Sequence, residues 1–302
     1  MTYLITGATG DIGARVVEQL LQRGERPRIF VRNAQKAQAR YGDRVEVFIG
    51  DLAEPASLRP ALAGIDALFL VNSGPEIPMR DQAAAQAAKA AGVKRLVKLS
   101  SMDVEQGLAI GAWHEQGEAA VRSSGIQFTF VQPTGFMSNL LAWAKSIKGE
   151  GIVRSSTADG RRAFIHSADI AAVAAKALTT LQYTGKSLPI TGPEALSFAE
   201  ATAKIGSVIG KRLAFKTITD QEARQRYSAI SGSASETEAH VSLWRAIREG
   251  RLAKVTDNVE RILGRKPVTL DRWAKENAAA FRDDVEYHSA GSSSKLSTVD
   301  AS

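Results

Sequence analysis

Residues 1–13 read Met-Thr-Tyr-Leu-Ile-Thr-Gly-Ala-Thr-Gly-Asp-Ile-Gly, and this stretch decides the fold. A short apolar strand runs directly into Gly7, Gly10 and Gly13, and an amphipathic helix follows over 13–23. Glycines at this spacing permit a tight turn and a close approach to a pyrophosphate. The start of a helix offers free N–H groups and the positive end of its dipole. The stretch therefore predicts a dinucleotide-binding unit.

The first half of the chain alternates strand-like and helix-like segments. The predicted strands cover 3–6, 27–31, 45–49, 67–71, 96–99 and 128–131, and the predicted helices cover 13–23, 55–63, 81–91 and 113–123. This alternation is typical of a doubly wound parallel sheet. We therefore expect an α/β protein of the Rossmann type with a small, mostly helical C-terminal lobe.

The second half of the chain is less regular. Strands are predicted over 163–166 and 187–191, separated by an alanine-rich helix over 167–178, and the chain after 197 reads mostly helical. Helix caps are predicted at Ser197, at Ser235 with Glu238 as a capping box, and at Thr269. The expected division is a dinucleotide domain of 1–134 plus about 160–190, a substrate-side lobe of about 135–160 and 191–288, and a flexible tail over 289–302.

Composition excludes several classes of site. The 302 residues are 44% hydrophobic and 24% charged, which is typical of a soluble globular protein. The absence of cysteine excludes disulfides and thiolate chemistry, and the four histidines show no metal-ligand spacing. The net charge of +7 comes from scattered basic residues, which favours a solvated surface or attraction of a phosphorylated cofactor over nucleic-acid binding. No signal peptide or membrane span is predicted, so we expect a cytoplasmic protein, either a monomer or a homodimer.

The end of the second predicted strand indicates which dinucleotide binds. An NAD-binding unit usually carries Asp or Glu there to accept from the ribose 2′-OH. This chain has Arg32 instead, followed by Lys36. A guanidinium pairs well with a 2′-phosphate, so the prediction is NADP(H), although Arg32 as a plain surface residue is the alternative.

Ligands of open α/β sheets collect at the carboxyl ends of the strands. Asp51 is expected to contact the adenine, with a turn carboxylate as the alternative, and the positions after the fourth and fifth strands are expected to surround the nicotinamide. The predicted cofactor-binding residues are Gly7, Thr9, Gly10, Asp11, Ile12, Gly13, Arg32, Lys36, Asp51, Leu52, Asn72, Ser73, Ser100 and Pro133.

Carbonyl chemistry on such a sheet often uses a Tyr acid with a Lys four residues later. None of the five tyrosines has a lysine at that spacing. The corresponding helix instead carries His114 and Glu118, one turn apart on a shared face. His114 could donate a proton after hydride transfer with Glu118 orienting it, or His114 could simply line the nicotinamide.

Apolar residues follow the sixth predicted strand. Phe136, Met137 and Trp143 could form the wall of an apolar substrate pocket, or they could be core packing between the lobes. The predicted substrate-binding residues are Gly74, Trp113, His114, Phe136, Met137 and Trp143. His166, beside Asp169, is expected to make a local polar contact.

These motifs resemble the NmrA-like branch of the atypical short-chain dehydrogenases/reductases. The resemblance covers roughly residues 1–200 and rests on segments 6–13, 31–33, 50–52, 98–101, 114–118, 133–139 and 165–171. It implies a Rossmann fold, a small C-terminal lobe and NADP(H) binding. Members include NADPH-dependent quinone, azo-dye and triphenylmethane-dye reductases, and also regulators that bind the dinucleotide without turnover. Related plant reductases use a catalytic Lys in the helix where this chain has Glu118.

Two hypotheses follow. The first is an NADPH-dependent reductase of a small, apolar, conjugated acceptor, whose product anion is already delocalised and needs little acid catalysis. The second is a non-catalytic NADP(H)-sensing protein, which explains the missing Tyr/Lys pair equally well. A nucleotide-sugar epimerase or dehydratase is disfavoured because those enzymes depend on that pair.

Overall fold

The computed structural model describes residues 1–282, so the predicted tail over 289–302 lies outside the described residues. The strands are β1 Tyr3–Thr6, β2 Arg28–Val31, β3 Glu46–Ile49, β4 Ala67–Leu70, β5 Arg95–Leu99, β6 Gln127–Pro133, β7 Ile152–Ser155, β8 Arg161–Ala163, β9 Lys186–Ile190, β10 Ala195–Ser197 and β11 Ala214–Thr217. The helices are α1 Asp11–Gln22, α2 Ala34–Tyr41, α3 Pro55–Leu62, α4 Ile77–Ala90, α5 Ala109–Ser123, α6 Ala144–Glu150, α7 Ser167–Thr179, α8 Phe198–Ile209, α9 Asp220–Ser231, α10 Ala234–Arg248, α11 Asn258–Leu263, α12 Leu270–Glu276 and α13 Ala278–Phe281. Three 3₁₀ segments cover Gly42–Arg44, Met102–Gln106 and Met137–Trp143.

Seven strands form one parallel sheet in the order β3-β2-β1-β4-β5-β6-β9. One hydrophobic cluster packs α1, α7 and α11 on one face, and a second packs α3 and α4 on the other. The strand order reverses between β1 and β4, and such a reversal opens a ligand crevice at the carboxyl ends of the strands. The predicted doubly wound Rossmann sheet is confirmed.

A third hydrophobic cluster lies in the C-terminal part of the chain. Its members come from the 3₁₀ segment Met137–Trp143 and from α6, α8, α10, α12 and α13. This separate packing supports the expected division into a sheet domain and a lobe, which stays a prediction. No helix among residues 1–282 is both long enough and apolar enough to cross a membrane.

Predictions for four elements differ from the structure. Of the segment predicted as a strand over 163–166, only Ala163 belongs to a strand, the short β8, which pairs antiparallel with β10 outside the main sheet. Helices α4 and α5 each begin four residues before the predicted start, at Ile77 and Ala109. The predicted last helix is divided in two at Asn277, although Thr269 caps it as expected.

The capping box predicted at Ser235 and Glu238 is wrong. Helix α10 begins two residues earlier, where the Ser233 side chain accepts from the backbone N–H of Glu236. Gly232, with φ of 64°, ends α9 immediately before it, so Ser233 is the first residue able to cap.

Candidate functional site: a dinucleotide cleft above a buried ion pair

The glycine turn after β1 is shaped by close backbone contacts. Gly7 has φ of 62°, a conformation that other residues rarely adopt, and its carbonyl accepts from Gly10 N at 2.9 Å. A Cβ at Gly13 would lie 2.3 Å from that same carbonyl oxygen. Helix α1 therefore sits directly on the turn, as a pyrophosphate cradle requires.

The start of α1 is open to an anion. Gly10 is the N-cap and supplies no side-chain cap, so a ligand phosphate can take the first N–H groups of the helix. The predicted loop residues Thr9 and Ile12 lie at this end of the helix, Thr9 half-buried and Ile12 buried. These residues fit the phosphates of a dinucleotide.

Asp11 is turned toward other parts of the chain. Its carboxylate accepts from Ser167 at 2.5 Å and from Ser138 at 2.8 Å, and pairs with Arg15. Burial opposes ionisation, but the hydrogen bonds from Ser167 and Ser138 outweigh it and hold the Asp11 pKa below its usual value. Asp11 thus ties the glycine turn to α7 and to the segment after β6.

The end of β2 presents cationic side chains to solvent. The Arg32 side chain is 82% exposed, and the Asp51 carboxylate is 4.0 Å from its guanidinium. Asn33 caps α2 by accepting from Lys36 N, which fixes the position of exposed Lys36 one turn into that helix. Neither cation is committed to a short ion pair, so both fit a 2′-phosphate.

Asp51 and its neighbours form the next part of the strand edge. Asp51 Oδ1 accepts from Ala53 N at 2.9 Å, and its backbone N–H bonds Ser57. Leu52 packs against the apolar cluster on the α3 side of the sheet. Asp51 is therefore a turn carboxylate in the described structure, and its predicted contact with adenine stays a prediction.

A fully buried ion pair lies below the ends of β4 and β5. Lys98 Nζ is 2.7 Å from Asp81 Oδ2, and neither side chain is exposed. Asn72 donates from Nδ2 to Asp81 Oδ1 at 2.6 Å, so its amide holds α4 against the end of β4. Exposed Ser73 follows Asn72 at the same edge.

His114 and Glu118 do not act on each other as predicted. His114 Nδ1 lies 3.2 Å from Lys98 Nζ, and burial, followed by the Lys98 charge, holds the His114 pKa well below its ordinary value. Glu118 accepts from Ser100 at 2.5 Å and from Gln132 at 2.8 Å. Both of these bonds end on Oε1, and Arg122 donates to Oε2 at 3.0 Å. The expectation that Glu118 orients His114 is therefore wrong, because groups other than His114 bond both oxygens of its carboxylate.

The predicted substrate-side residues divide into two groups. Met137 is buried in the core of the lobe, and half-buried Trp143 packs against Phe198 with ring centroids 5.3 Å apart. These contacts support the core-packing alternative for both residues. Phe136 is half-buried and packs against the sheet cluster that contains α1.

The remaining predicted positions lie near α5 and α10. Gly74 has φ of 85°, and a Cβ there would lie 3.5 Å from Glu236 of α10. Trp113 is half-buried in α5, beside His114. Pro133 is buried at the end of β6. A substrate role for Gly74, Trp113 and Phe136 stays a prediction, as does a cofactor role for Pro133.

His166 makes the expected local polar contact. Its Nδ1 accepts from Ala168 N at 2.9 Å, so Nε2 carries the proton and donates to Glu276 at 3.0 Å. This places His166 between α7 and α12.

Sequence reasoning missed the roles of Lys98, Asp81 and Gln132. The available signal was a lysine inside the apolar strand Leu96-Val97-Lys98-Leu99, where a charge has to find a buried partner. A second buried pair, Arg162 with Asp103 at 3.2 Å, joins β8 to the segment after β5.

Comparisons with known proteins agree with this geometry. A family model described as NAD(P)H-binding matches residues 7–180. The chain is 39% identical over 283 residues to a (4-alkanoyl-5-oxo-2,5-dihydrofuran-3-yl)methyl phosphate reductase of Streptomyces griseus, covering 92% of this chain and 98% of that one. It is 37% identical over 284 residues to an NAD(P)H azoreductase of Xenophilus azovorans, again covering 92% and 98%.

A solved structure shares the fold. It is an NADPH-dependent quinone oxidoreductase from Escherichia coli complexed with NADPH, with a TM-score of 0.83 and 24% identity, covering 91% of this chain and 99% of that one. The predicted resemblance and the predicted binding of a nicotinamide dinucleotide are confirmed by these matches, and the choice of NADP(H) over NAD(H) stays a prediction.

Proposed function

The chain belongs to the NAD(P)H-binding family, and from that membership and the cleft described above we propose that it is an NADPH-dependent reductase of a small, apolar, conjugated acceptor. The observation that carries the proposal is the open glycine turn after β1. In this turn Gly13 packs closely against the backbone of Gly7, and exposed Arg32 lies at the end of the neighbouring strand β2. Quinones and azo dyes are the acceptor classes proposed.

Support for NADPH over NADH comes from charge. Arg32 and Lys36 lie at the end of β2, where a carboxylate would be needed for a free ribose 2′-OH. A 2′-phosphate can take a bidentate guanidinium contact there, in addition to the attraction of a second cation. The cofactor supplies hydride at C4 of its nicotinamide when it is bound.

Support for a conjugated acceptor comes from the relatives and from the chemistry left in the cleft. The name of the Xenophilus azovorans relative says that it reduces azo compounds. The name of the Streptomyces griseus relative describes a substrate with an unsaturated oxo ring that bears an acyl group. No Tyr/Lys pair is present in this sequence. A delocalised acceptor needs less proton donation at the moment of hydride transfer, so orientation of the two reactants supplies most of the catalysis.

His114 contributes as a neutral ring. Because its pKa lies well below the ordinary value, it is an uncharged hydrogen-bond donor at neutral pH. Such a group can stabilise negative charge that develops on the acceptor without first losing a positive charge of its own.

The test is NADPH oxidation, followed by absorbance, against a panel of quinones and azo dyes. We expect turnover with at least one acceptor, and loss of most of kcat in His114→Phe with the NADPH Kd unchanged. Tight NADPH binding with no turnover across the panel would overturn the reductase and favour a dinucleotide sensor, which should prefer one redox state of the cofactor. The proposal includes a cytoplasmic monomer or homodimer, measured by cell fractionation and light scattering.

A further inference from the structure

Lys98 is a charged side chain with no solvent exposure in the middle of a central strand. Its Nζ lies 2.7 Å from Asp81 Oδ2, 3.2 Å from the Leu99 carbonyl and 3.2 Å from His114 Nδ1. Burying an unpaired ammonium costs several kcal/mol, and the short contact with Asp81 offsets that cost. The Lys98 side chain is thus fixed next to Nδ1 of His114.

The contact with Lys98 decides which nitrogen of His114 carries the proton. An ammonium group has N–H donors and no acceptor lone pair, so His114 Nδ1 has to accept from Lys98. A neutral imidazole has one proton, which is therefore on Nε2. This nitrogen is on the other side of the ring and has no hydrogen-bond partner within residues 1–282.

The network is held from four elements of the sheet domain. Asn72 after β4 donates to Asp81 of α4, and Lys98 belongs to β5. Gly117 of α5 permits the approach of the two helices, because a Cβ there would lie 2.3 Å from Asp81 Oδ2. These contacts fix the Lys98 side chain, which in turn bonds Nδ1 of the His114 ring.

Other charged groups lie on and around α5. Glu118 accepts from Ser100 and Gln132 and pairs with Arg122, and helix α10, which packs on α5, carries Glu236 and His240, whose Nδ1 bonds the Glu236 carbonyl. Asp81 on α4 is paired with Lys98. Burial is the larger cause of the lowered His114 pKa, and the Lys98 cation is the charge that lowers it further.

We propose that Lys98 is a positioning residue that fixes His114 as a neutral Nε2–H donor to the acceptor and replaces the proton that His114 gives up. This step rests on the proposed reductase function. The bound cofactor would supply the hydride, and the acceptor that takes it would become an anion. The Nε2–H bond of His114 breaks as its proton binds that anion, and a proton passes from Lys98 Nζ to Nδ1. After product release, Nε2 takes a proton from solvent and Nδ1 returns its proton to Lys98, which restores the ammonium group.

The first test measures which nitrogen of the His114 ring is protonated, and it requires no enzymatic turnover. The chain has four histidines, so ¹⁵N-histidine labelling and two-bond ¹H–¹⁵N spectra can resolve each ring. We expect His114 in the wild type to show a bare Nδ1 and a protonated Nε2, and to stay neutral below the pH at which an ordinary histidine takes up its second proton. A protonated Nδ1 in the folded wild type overturns the proposal.

Two double variants, each without one buried ion pair, show whether the effect on His114 is specific to the Lys98–Asp81 pair. Lys98→Met/Asp81→Asn removes both buried charges and should raise the His114 pKa, because the Lys98 charge no longer opposes protonation, and should mix the tautomers of the ring. Arg162→Met/Asp103→Asn removes a different buried pair and should leave the His114 signals unchanged. Unchanged His114 signals in a folded Lys98→Met/Asp81→Asn variant would also overturn the proposal.

The kinetic arm uses an acceptor that the wild type reduces. In Lys98→Met/Asp81→Asn we expect kcat to fall by at least about tenfold and to acquire a pH dependence near the raised pKa, with KM for NADPH changed by less than about twofold. An unchanged kcat and pH profile would refute the proton-replacing role. If the wild type reduces no acceptor, the proposed function fails, and the ring spectrum alone then decides whether Lys98 fixes His114.

Discussion

Gly13→Ala tests whether the close contact of α1 with the glycine turn is what holds the cofactor. The added Cβ would lie 2.3 Å from Gly7 O and 2.6 Å from Gly7 C, whereas ordinary contact begins at 3.4 Å. The helix and the turn would have to separate by about 1 Å at this point. That movement displaces the carbonyl that accepts from Gly10 N and opens the turn.

The size of the effect follows from this overlap. Overpacking of a rigid contact costs about 1–3 kcal/mol, and here the neighbour is backbone, which cannot rotate away. If the displaced turn loses this free energy from its binding of the pyrophosphate, Kd for NADPH rises by roughly tenfold to a hundredfold. Isothermal titration with NADPH measures the change, and circular dichroism checks that the fold is retained.

Gly149→Ala is the matched control because a Cβ at Gly149, in α6, meets nothing within 4 Å. This variant should bind NADPH as the wild type does and gain up to about 1 kcal/mol of stability, since alanine favours a helix more than glycine. A folded Gly13→Ala protein with wild-type NADPH affinity would refute the cradle described above.

Three further perturbations test separate parts of the structure. Arg32→Asp should weaken NADPH binding by at least about tenfold and favour NADH, which titration with each dinucleotide measures. An unchanged affinity for NADPH would refute the assignment of Arg32 to the 2′-phosphate. Lys98→Met leaves Asp81 buried without its cation and should cost about 3–5 kcal/mol in urea unfolding, most of it recovered in Lys98→Met/Asp81→Asn; equal stability of the two variants would contradict this. The Arg248 guanidinium holds the Asp220 pKa below its usual value, so the pair stabilises the fold above about pH 4 and less as pH falls. The arginines that pair with Asp220 are partly exposed, so solvent screens the interaction, and Asp220→Asn should cost roughly 0.5–1.5 kcal/mol at neutral pH and lose that difference in acid. A pH-independent difference in unfolding free energy would show the reasoning to be wrong.

The sheet was predictable because its signals are local. Most of the buried strands read as short apolar runs, and helical segments alternate with them, so the strand positions and the parallel, doubly wound class could be inferred from neighbouring residues. β8 was not predictable in the same way. Its partner is β10, more than thirty residues later, and nothing in segment 163–166 says which strand it will meet.

Helix ends were predicted less well where two signals overlap. Ser233 and Ser235 both have a glutamate three residues later, so both satisfy the capping pattern. The structure selects Ser233 because Gly232 has just ended α9 in the left-handed conformation. At α4, Pro78 falls in the first turn, where proline is tolerated, and the predicted helix start at 81 lies after this proline.

The partners of His114 show what spacing along a helix can and cannot establish. The i, i+4 rule correctly puts His114 and Glu118 on one face, but it says nothing of the strands beneath that face. There β5 presents Lys98 to the ring and the β5–β6 edge presents Ser100 and Gln132 to the carboxylate. A buried carboxylate gains more from two short hydrogen bonds than from a neutral ring, because desolvation penalises each unmet acceptor site. The lysine within an apolar strand therefore predicts the surroundings of His114 better than the helical spacing does. A buried charge needs an ion-pair or hydrogen-bond partner, and that partner has to come from another element.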